Sequence, residues 1–315
     1  KANKKEFFEA KKFFSELPQK HEILWNDGPN LKSLDTLLAK QNLAPQELGK
    51  GRNVWYCMGY ILSVGKAEAV ALHDCDIVTY SRSLLARLVY PVANPKFNFD
   101  FCKGYYPRVS ENKVKGRVAR LLVTPLLRAL EKTIGFNEFI SFVDSFRYPL
   151  AGEFSFRRRV LKDIRIPYDW GLEIGVLSEM FRNYAGNRLC QVDIADNYDH
   201  KHQDIFFDDN SKGLSKMSVD IIKVIIRKLA SQGETFSMSI FRSLKATYYR
   251  EALDFVQIYK KDALMNAYDI DVHEEETAVE LFAKNIMVAG QVFLDSPMES
   301  PNIPTWSRVD TALPS

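Results

Sequence analysis

The sequence predicts an α/β protein with a mostly parallel sheet, followed by a helical C-terminal part. Short apolar runs such as 68–73 and 188–194 alternate with longer segments whose apolar residues recur at helical spacing. That alternation is typical of units in which consecutive parallel strands are joined by helices. After about residue 210 only amphipathic helical patterns remain. We therefore expect a nucleotide-sugar and acceptor domain at 1–210 and a helical extension at 211–315.

The first half of the chain alternates helix and strand patterns. Residues 4–17 carry apolar pairs at helical spacing and stop at Pro18, because proline cannot continue a helix. Residues 21–25 resemble a short strand that ends in the turn formers at 26–29. The other elements predicted up to residue 146 are helices at 31–40, 53–64, 79–89, 117–132 and 137–146, and strands at 68–73 and 97–106.

The second half becomes progressively more helical. We predict helices at 152–161, 172–184, 214–229, 237–267 and 274–294, one strand at 188–194, and a proline-rich tail from Pro297. The three long helices after residue 210 have apolar faces that need a partner. We expect them to pack on the sheet or to form a subunit interface, which makes a homodimer the expected assembly.

Composition limits the function classes. The 315 residues carry 43 Lys and Arg against 40 acids, a net charge of +3, whereas duplex-binding proteins are strongly basic. No apolar run approaches the roughly 18 residues that span a bilayer, and the N-terminal residues lack a signal-peptide core. The four cysteines have no paired spacing and fit reduced thiols. These features predict a cytoplasmic protein that binds neither nucleic acid nor membrane.

The segment A-L-H-D-C-D-I-V places two carboxylates, Asp74 and Asp76, directly after a predicted strand. Alternate residues of an extended segment point to one side, so both acids can project together. Ligands of open α/β sheets bind beyond the carboxyl ends of strands. The pair therefore predicts a Mg²⁺ or Mn²⁺ site, and a strand-end turn with a capping aspartate is the alternative. We interpret a second acid pair, Asp269 and Asp271, as a turn and helix cap.

Four motifs from about residue 23 to residue 203 resemble glucosyl-3-phosphoglycerate synthases and the related mannosyl-3-phosphoglycerate synthases. In chain order they are G-K-G-R-N-V-W, A-L-H-D-C-D-I-V, Y-P-L-A-G-E-F and W-G-L-E-I-G-V-L. The resemblance implies the GT-A fold, a Rossmann-like sandwich, and a retaining glycosyltransferase. It also implies a UDP- or GDP-linked sugar donor, a phosphorylated acceptor such as 3-phosphoglycerate, and Mg²⁺ or Mn²⁺.

The resemblance also implies roles for individual residues. Catalysis falls to Asp76, Glu173 and Arg117, and the metal ligands are Asp76 and His200. Donor binding falls to Lys50, Asp74, Asp76 and Gly152, and acceptor binding to Gly116, Arg117, Val118 and His202. The residue patterns alone leave other interpretations open: His200 in a surface loop, Arg117 at a solvated helix start, and Glu173 as an acid that favours a helix N-terminus.

The sequence departs from the family pattern at three places. Ala119 stands where the family carries a hydroxyl residue in the acceptor loop, and His202 stands where asparagine is frequent. The sequence also starts at the helix that follows the family's second strand. We therefore expect the front strands to be missing from this sequence, or the nucleotide pocket to be built differently.

The predicted function is transfer of glucose, or alternatively mannose, to 3-phosphoglycerate for compatible-solute synthesis. A nucleotidyltransferase or phosphatase could use the same acids, but the sequence shows no second acidic cluster after a neighbouring strand, as two-metal chemistry needs. A non-catalytic sugar-nucleotide-binding or oligomeric scaffold protein is the third hypothesis.

Overall fold

A computed structural model describes residues 3–45, 47–199, 213–297 and 301–313. The helices are α1 (Lys4–Phe14), α2 (Pro29–Lys40), α3 (Lys50–Val64), α4 (Arg82–Ala93), α5 (Thr124–Ile134), α6 (Glu138–Asp144), α7 (Leu172–Asn183), α8 (Gly213–Ala230), α9 (Met238–Met265), α10 (Val272–Asp295) and α11 (Trp306–Ala312). The strands are β1 (Ala69–Leu72), β2 (Phe101–Tyr105), β3 (Val109–Ser110), β4 (Lys113–Val114), β5 (Phe154–Arg157) and β6 (Leu189–Asp193). A π-helix, Val118–Val123, leads directly into α5.

The main sheet has the strand order β1-β5-β2-β6. Strand β5 is antiparallel to both of its neighbours, and β6 is parallel to β2. Strands β1, β2 and β6 therefore run in one direction, with β5 reversed between β1 and β2. The predicted α/β class with a mostly parallel sheet is confirmed, and β3 and β4 form a separate hairpin.

The helix predicted at 152–161 is wrong. Residues 154–157 form β5, and a 3-10 helix, Arg158–Lys162, follows. Phe154, Ser155 and Phe156 are all fully buried, because β5 is covered on both faces. The Ser155 hydroxyl donates to the carbonyl of Leu88 in α4 at 2.7 Å. A strand that is buried on both faces lacks polar alternation, so its period cannot be told from that of a buried helix.

Two further predictions fail at the edges of the fold. Residues 21–25 form no strand, and α4 begins at Arg82 rather than at residue 79. The proline-rich tail contains the unpredicted α11. Its Trp306 stacks on Trp55 of α3 at 4.1 Å between ring centroids, and its indole N–H donates to the Trp55 carbonyl at 3.0 Å.

The helices after Gly213 share one apolar core with the preceding residues. Helix α9 packs on α5 and on α10, and α10 packs on α8. The Tyr248 hydroxyl of α9 donates to the Leu121 carbonyl of the π-helix at 2.6 Å, and the side chains of Tyr248 and Phe282 are fully buried. The division into 1–210 and 211–315 stays a prediction.

Among the described residues, α10 is the one helix long and apolar enough to cross a membrane by length and composition. Of its most apolar 18-residue window, 56% is buried inside the fold. Core helices of soluble proteins pass the same test, so α10 is weak evidence for a membrane span.

Candidate active site

Lys50 joins two of the predicted site acids. Its Nζ atom lies 2.7 Å from Asp74 Oδ1 and 2.8 Å from Glu173 Oε1. Burial by itself lowers the pKa of Lys50, but the neighbouring Glu173 and Asp74 carboxylates outweigh it and raise that pKa above the usual value. The lysine is therefore a fixed positive charge between two carboxylates that would otherwise repel each other.

The glycines on either side of Lys50 allow this position. A Cβ atom on Gly49 would lie 2.0 Å from the carbonyl oxygen of Tyr168, and one on Gly51 would lie 1.7 Å from that of Pro167. The G-K-G motif therefore packs backbone against backbone, which places Lys50 at the first turn of α3. Glu173 reaches the lysine from the first turn of α7.

Gly152 lies directly against Asp74. A Cβ atom at this position would lie 2.5 Å from Asp74 Oδ2 and 2.8 Å from Asp74 Cγ. Only a residue without a side chain leaves the carboxylate in its place next to Lys50. The structure thus brings together four predicted site residues: Lys50, Asp74, Gly152 and Glu173.

Glu153 was not among the predicted residues, although it is adjacent to Gly152. Its side chain is fully buried and accepts hydrogen bonds at 2.8 Å from the hydroxyls of Tyr106 and Tyr198. The Asp74 backbone N–H donates to Glu153 Oε1 over a longer 3.4 Å. Burial, and then the charge of Asp74, raise the pKa of Glu153, while the tyrosine hydrogen bonds lower it in part.

Lys103 is a second unpredicted residue beneath the site. It belongs to β2, is 1% exposed, and donates from Nζ to the Ala151 carbonyl at 2.6 Å. Burial lowers its pKa to about 8, and the charges of Glu173 and Glu153 offset part of that effect. Its hydrogen bond holds the backbone immediately before Gly152. A lysine in the otherwise apolar strand F-C-K-G-Y is the signal that could have found it.

Asp76 follows β1 by a few residues and is exposed. No described residue forms a hydrogen bond or ion pair with its carboxylate. The predicted metal ligand His200 and the predicted acceptor residue His202 lie outside the described residues. Within the described ranges, no group of three or more His, Cys, Asp or Glu side chains could hold a metal ion. An exposed carboxylate just beyond a strand nevertheless fits Mg²⁺, which one or two carboxylates hold together with substrate phosphates.

The predicted acceptor loop adopts a conformation that depends on glycine. Gly116 has φ +75°, in the left-handed region, and a Cβ atom there would approach Arg108 Cγ to 3.2 Å. Val118 begins the π-helix and is partly buried. The loop therefore lies against Arg108, which the sequence analysis did not single out.

Arg117 and Arg120 share one helix face, and that face meets α10. Arg117 donates to Glu275 and to Glu274, each at 3.0 Å, and Arg120 donates from Nη1 to Glu275 Oε2 at 2.7 Å. The Glu275 side chain is only 3% exposed, so it is a buried carboxylate between two arginines. The helical extension thus braces the predicted acceptor loop.

A cavity of about 190 Å³ lies beside this loop. Gly116 and Ala119 line it, but Arg117 does not. Its other walls include three arginines and three tyrosines, namely Arg108, Arg120, Arg147, Tyr106, Tyr148 and Tyr259. No described residue that lines it carries a carboxylate. The cavity is therefore basic and aromatic.

One hydrogen-bond chain connects the cavity to the acid cluster. Tyr106 lines the cavity and donates to Glu153, and Glu153 accepts from the Asp74 backbone. Asp74 in turn pairs with Lys50. The site therefore has two adjoining ends: an acid end made of Asp74 and Glu173 around Lys50 with Glu153 next to Asp74, and a basic end made of the arginines of the cavity.

A carboxylate cluster beyond strand β1 that adjoins a basic cavity suits a glycosyltransferase that uses a nucleotide sugar. The chain belongs to the glucosyl-3-phosphoglycerate synthase family. It is 45% identical over 314 residues to glucosyl-3-phosphoglycerate synthase of Persephonella marina, covering all of this chain and 77% of that protein. It is 37% identical over 306 residues to the Methanococcoides burtonii synthase, covering 96% of this chain and 74% of that protein.

More distant matches add little. Crystal structures of the Mycobacterium tuberculosis synthase, with Mn²⁺, UDP-glucose and phosphoglyceric acid bound, align with 62% of this chain at 22% identity and a TM-score of 0.45. At that distance, residue roles are not transferred. No family model matches the chain.

Proposed function

We propose that this chain transfers glucose from UDP-glucose to 3-phosphoglycerate, giving glucosyl-3-phosphoglycerate. The observation that carries the proposal is the joined pair of ends: a carboxylate cluster around Lys50 for the donor, connected through Glu153 and Tyr106 to a basic cavity for an anionic acceptor. The names of the P. marina and M. burtonii relatives support the choice of glucose and 3-phosphoglycerate. GDP-glucose is the alternative donor.

At the acid end, we assign Asp76, with His200, to a Mn²⁺ or Mg²⁺ ion and Asp74 to the donor. When bound, the cation neutralises charge that develops on the diphosphate leaving group. Lys50 contributes fixed positive charge at the same end, and preorganised charge of this kind often makes the largest contribution to catalysis. Gly152 contributes to donor binding by leaving the Asp74 carboxylate in its place beside Lys50.

Glu173 orients the sugar or acceptor hydroxyls in this proposal. Its carboxylate is buried and paired with Lys50, so its charge is already compensated. That pairing favours an orienting role over a covalent nucleophile. Retention then follows from attack on the face that the leaving group vacates, with a leaving phosphate oxygen accepting the acceptor's proton.

At the basic end, the loop of Gly116, Arg117 and Val118 borders the acceptor, together with His202. Gly116 lines the cavity directly, and Arg117 fixes the loop through its two ion pairs to α10.

The product would feed compatible-solute synthesis in the cytoplasm. We further propose a homodimer, since Leu264 and Met265 at the end of α9 are more than 70% exposed.

A substrate panel tests the proposed function. UDP-glucose, GDP-glucose and UDP-mannose are each incubated with 3-phosphoglycerate, glycerol 3-phosphate or glycerate, with and without Mn²⁺. We expect Mn²⁺-dependent release of UDP only when UDP-glucose and 3-phosphoglycerate are both present, and a product whose anomeric configuration is retained. Equal turnover with glycerate, or turnover that EDTA does not reduce, would contradict the proposal.

A further inference from the structure

Arg108 is a partly buried cation to which the described residues offer no counter-ion. Its Nε atom is buried and has no hydrogen-bond partner, and no carboxylate in the described ranges pairs with its guanidinium group. The guanidinium carbon lies 5.6–5.9 Å from the ring centroids of Tyr106, Tyr148 and Tyr198. Ring faces stabilise a cation in part, but a desolvated cation without an anion remains unfavourable. The arginine is therefore held in position and has no anionic partner in the part of the chain that the structure describes.

Arg120 also lines the cavity and has one unused donor. Arg120 uses Nη1 for Glu275 and Nε for the Lys115 carbonyl at 2.8 Å, yet its Nη2 atom is buried without a partner. Arg147 lies exposed at the rim, where its Nη1 donates to the Tyr105 hydroxyl at 3.2 Å. Arg147 also has no carboxylate partner among the described residues. Two arginine charges of the cavity, those of Arg108 and Arg147, are thus uncompensated.

The cavity is the right size and chemistry for a small anion. Its volume of about 190 Å³ is below the roughly 300–1,000 Å³ of pockets for drug-sized ligands. Guanidinium groups present paired N–H donors that match phosphate oxygens, and such charge-assisted bonds are stronger than neutral ones. Tyr106 lines the cavity and donates to Glu153. A ligand in the cavity would therefore extend towards the acid end.

We propose that the guanidinium groups of Arg108 and Arg147 bind the phosphoryl group of the acceptor and thereby select a phosphorylated substrate. The inference rests on the proposed function for the identity of the acceptor, and it adds two specificity-determining arginines to the loop of Gly116, Arg117 and Val118. Arg108 is the central contact because three rings fix its orientation, and Arg147 closes the rim.

Calorimetric binding without donor tests the inference separately from turnover. The probes are 3-phosphoglycerate, inorganic phosphate, and glycerate, which lacks the phosphoryl group. We expect Arg108→Gln to weaken 3-phosphoglycerate binding roughly 10- to 100-fold, as lost charge-assisted hydrogen bonds do, and Arg147→Gln roughly 3- to 10-fold. Glycerate should bind weakly and equally to all forms. Arg128→Gln is the matched control, because Arg128 pairs with Asp144 outside this cavity.

Each outcome decides one question. If Arg108→Gln binds 3-phosphoglycerate within twofold of the wild type, or if the wild type binds neither 3-phosphoglycerate nor phosphate, the subsite is wrong. If Arg108→Gln does not fold, as melting temperature would report, the exposed Arg147→Gln decides in the same way. Arginine-dependent binding without glucose transfer would overturn the proposed function and keep the subsite. Normal glucose transfer by the arginine variants, with unchanged affinity for 3-phosphoglycerate, would overturn the subsite and keep the proposed function.

Discussion

The acid end and the basic end of the site balance their charges in opposite ways. At the acid end, Asp74 and Glu173 share Lys50, and Glu153 accepts hydrogen bonds from two tyrosines. At the basic end, Arg108 and Arg147 have no carboxylate partner among the described residues. Carboxylates held close together need an internal cation, whereas a cavity that recognises an anionic substrate must leave positive charge unused.

The two ends also differ in what supports them. Lys50 and Glu173 stand in the first turns of α3 and α7, and Asp74 follows β1, so regular elements position the acid end. The arginines of the basic end are Arg108 just before β3, Arg120 in the π-helix and Arg147 after α6, and they border the loop at Gly116. That loop is held from outside by Glu274 and Glu275 of α10. The helical extension therefore supports the basic end in particular.

Removing the predicted metal carboxylate should have the largest effect. We expect Asp76→Asn to lower kcat about 10²–10³-fold, because the developing charge on the leaving group loses its counter-ion. The melting temperature should stay within a few degrees, since Asp76 is exposed. Asp271→Asn is the matched control, because Asp271 caps α10 and asparagine caps equally well. Intact Mn²⁺-dependent turnover in Asp76→Asn would remove Asp76 from the metal site.

Removing the Glu275 carboxylate, which holds Arg117 and Arg120, should mainly lower the free energy of unfolding. Glu275→Ala leaves Arg117 and the buried Arg120 without their shared carboxylate. We expect the free energy of unfolding to fall by about 3–5 kcal/mol, as when a buried ion pair loses one partner. Glu274 is 60% exposed, so Glu274→Ala should cost less than about 1 kcal/mol. Urea denaturation measures both, and equal losses would show that the buried pairs carry no special weight.

Adding one methyl group at the acid end should separate activity from stability. In Gly152→Ala the new Cβ atom would overlap the Asp74 carboxylate, a side-chain end that can swing away from Lys50. We expect kcat to fall about 10²-fold, as misplacement of a catalytic group by about 1 Å does. Steady-state kinetics with UDP-glucose measure it. A variant with wild-type kcat would show that the Asp74–Lys50 contact is dispensable.

Lys103 should have a smaller effect, which is a dependence of folding stability on pH. Its pKa is about 8 in the fold against 10.5 ordinarily, so above pH 8 the unfolded chain binds a proton that the folded chain has lost. The free energy of unfolding therefore increases through Lys103 as pH rises from 8 towards 10.5. Below pH 8 this gain is absent, because both states bind the proton. Between pH 8 and 9.5 we expect a gain of about 2 kcal/mol relative to Lys103→Met. Parallel stability curves for the two proteins would contradict the low pKa.

Local motifs predicted much of the acid end. The family resemblance singled out Lys50 in G-K-G, Gly152 in P-L-A-G-E and Glu173 in G-L-E-I-G, and the structure brings these residues together with Asp74. The second acid pair was also interpreted correctly, since Asp271 accepts from Glu274 N–H as a helix cap. Each of these signals lies within a few neighbouring residues, which is the range that sequence patterns cover.

The basic end was less predictable because it is assembled from distant segments. Arg108, Arg120 and Arg147 converge on one cavity only after folding, and Glu275 reaches Arg120 across 155 positions. The strand β5 was mistaken for a helix because burial on both faces removes alternation. The basic end and β5 were both missed because they depend on tertiary contacts, and the spacing of neighbouring residues in the sequence carries no information on these.

The most direct test of the two-ended site is a calorimetric comparison of Asp76→Asn and Arg108→Gln, each titrated with UDP-glucose plus Mn²⁺ and, separately, with 3-phosphoglycerate. We predict that Asp76→Asn weakens donor binding at least tenfold and leaves acceptor binding within twofold. We predict the reverse for Arg108→Gln. If either variant weakens both ligands equally, the division of the site into a donor end and an acceptor end is wrong.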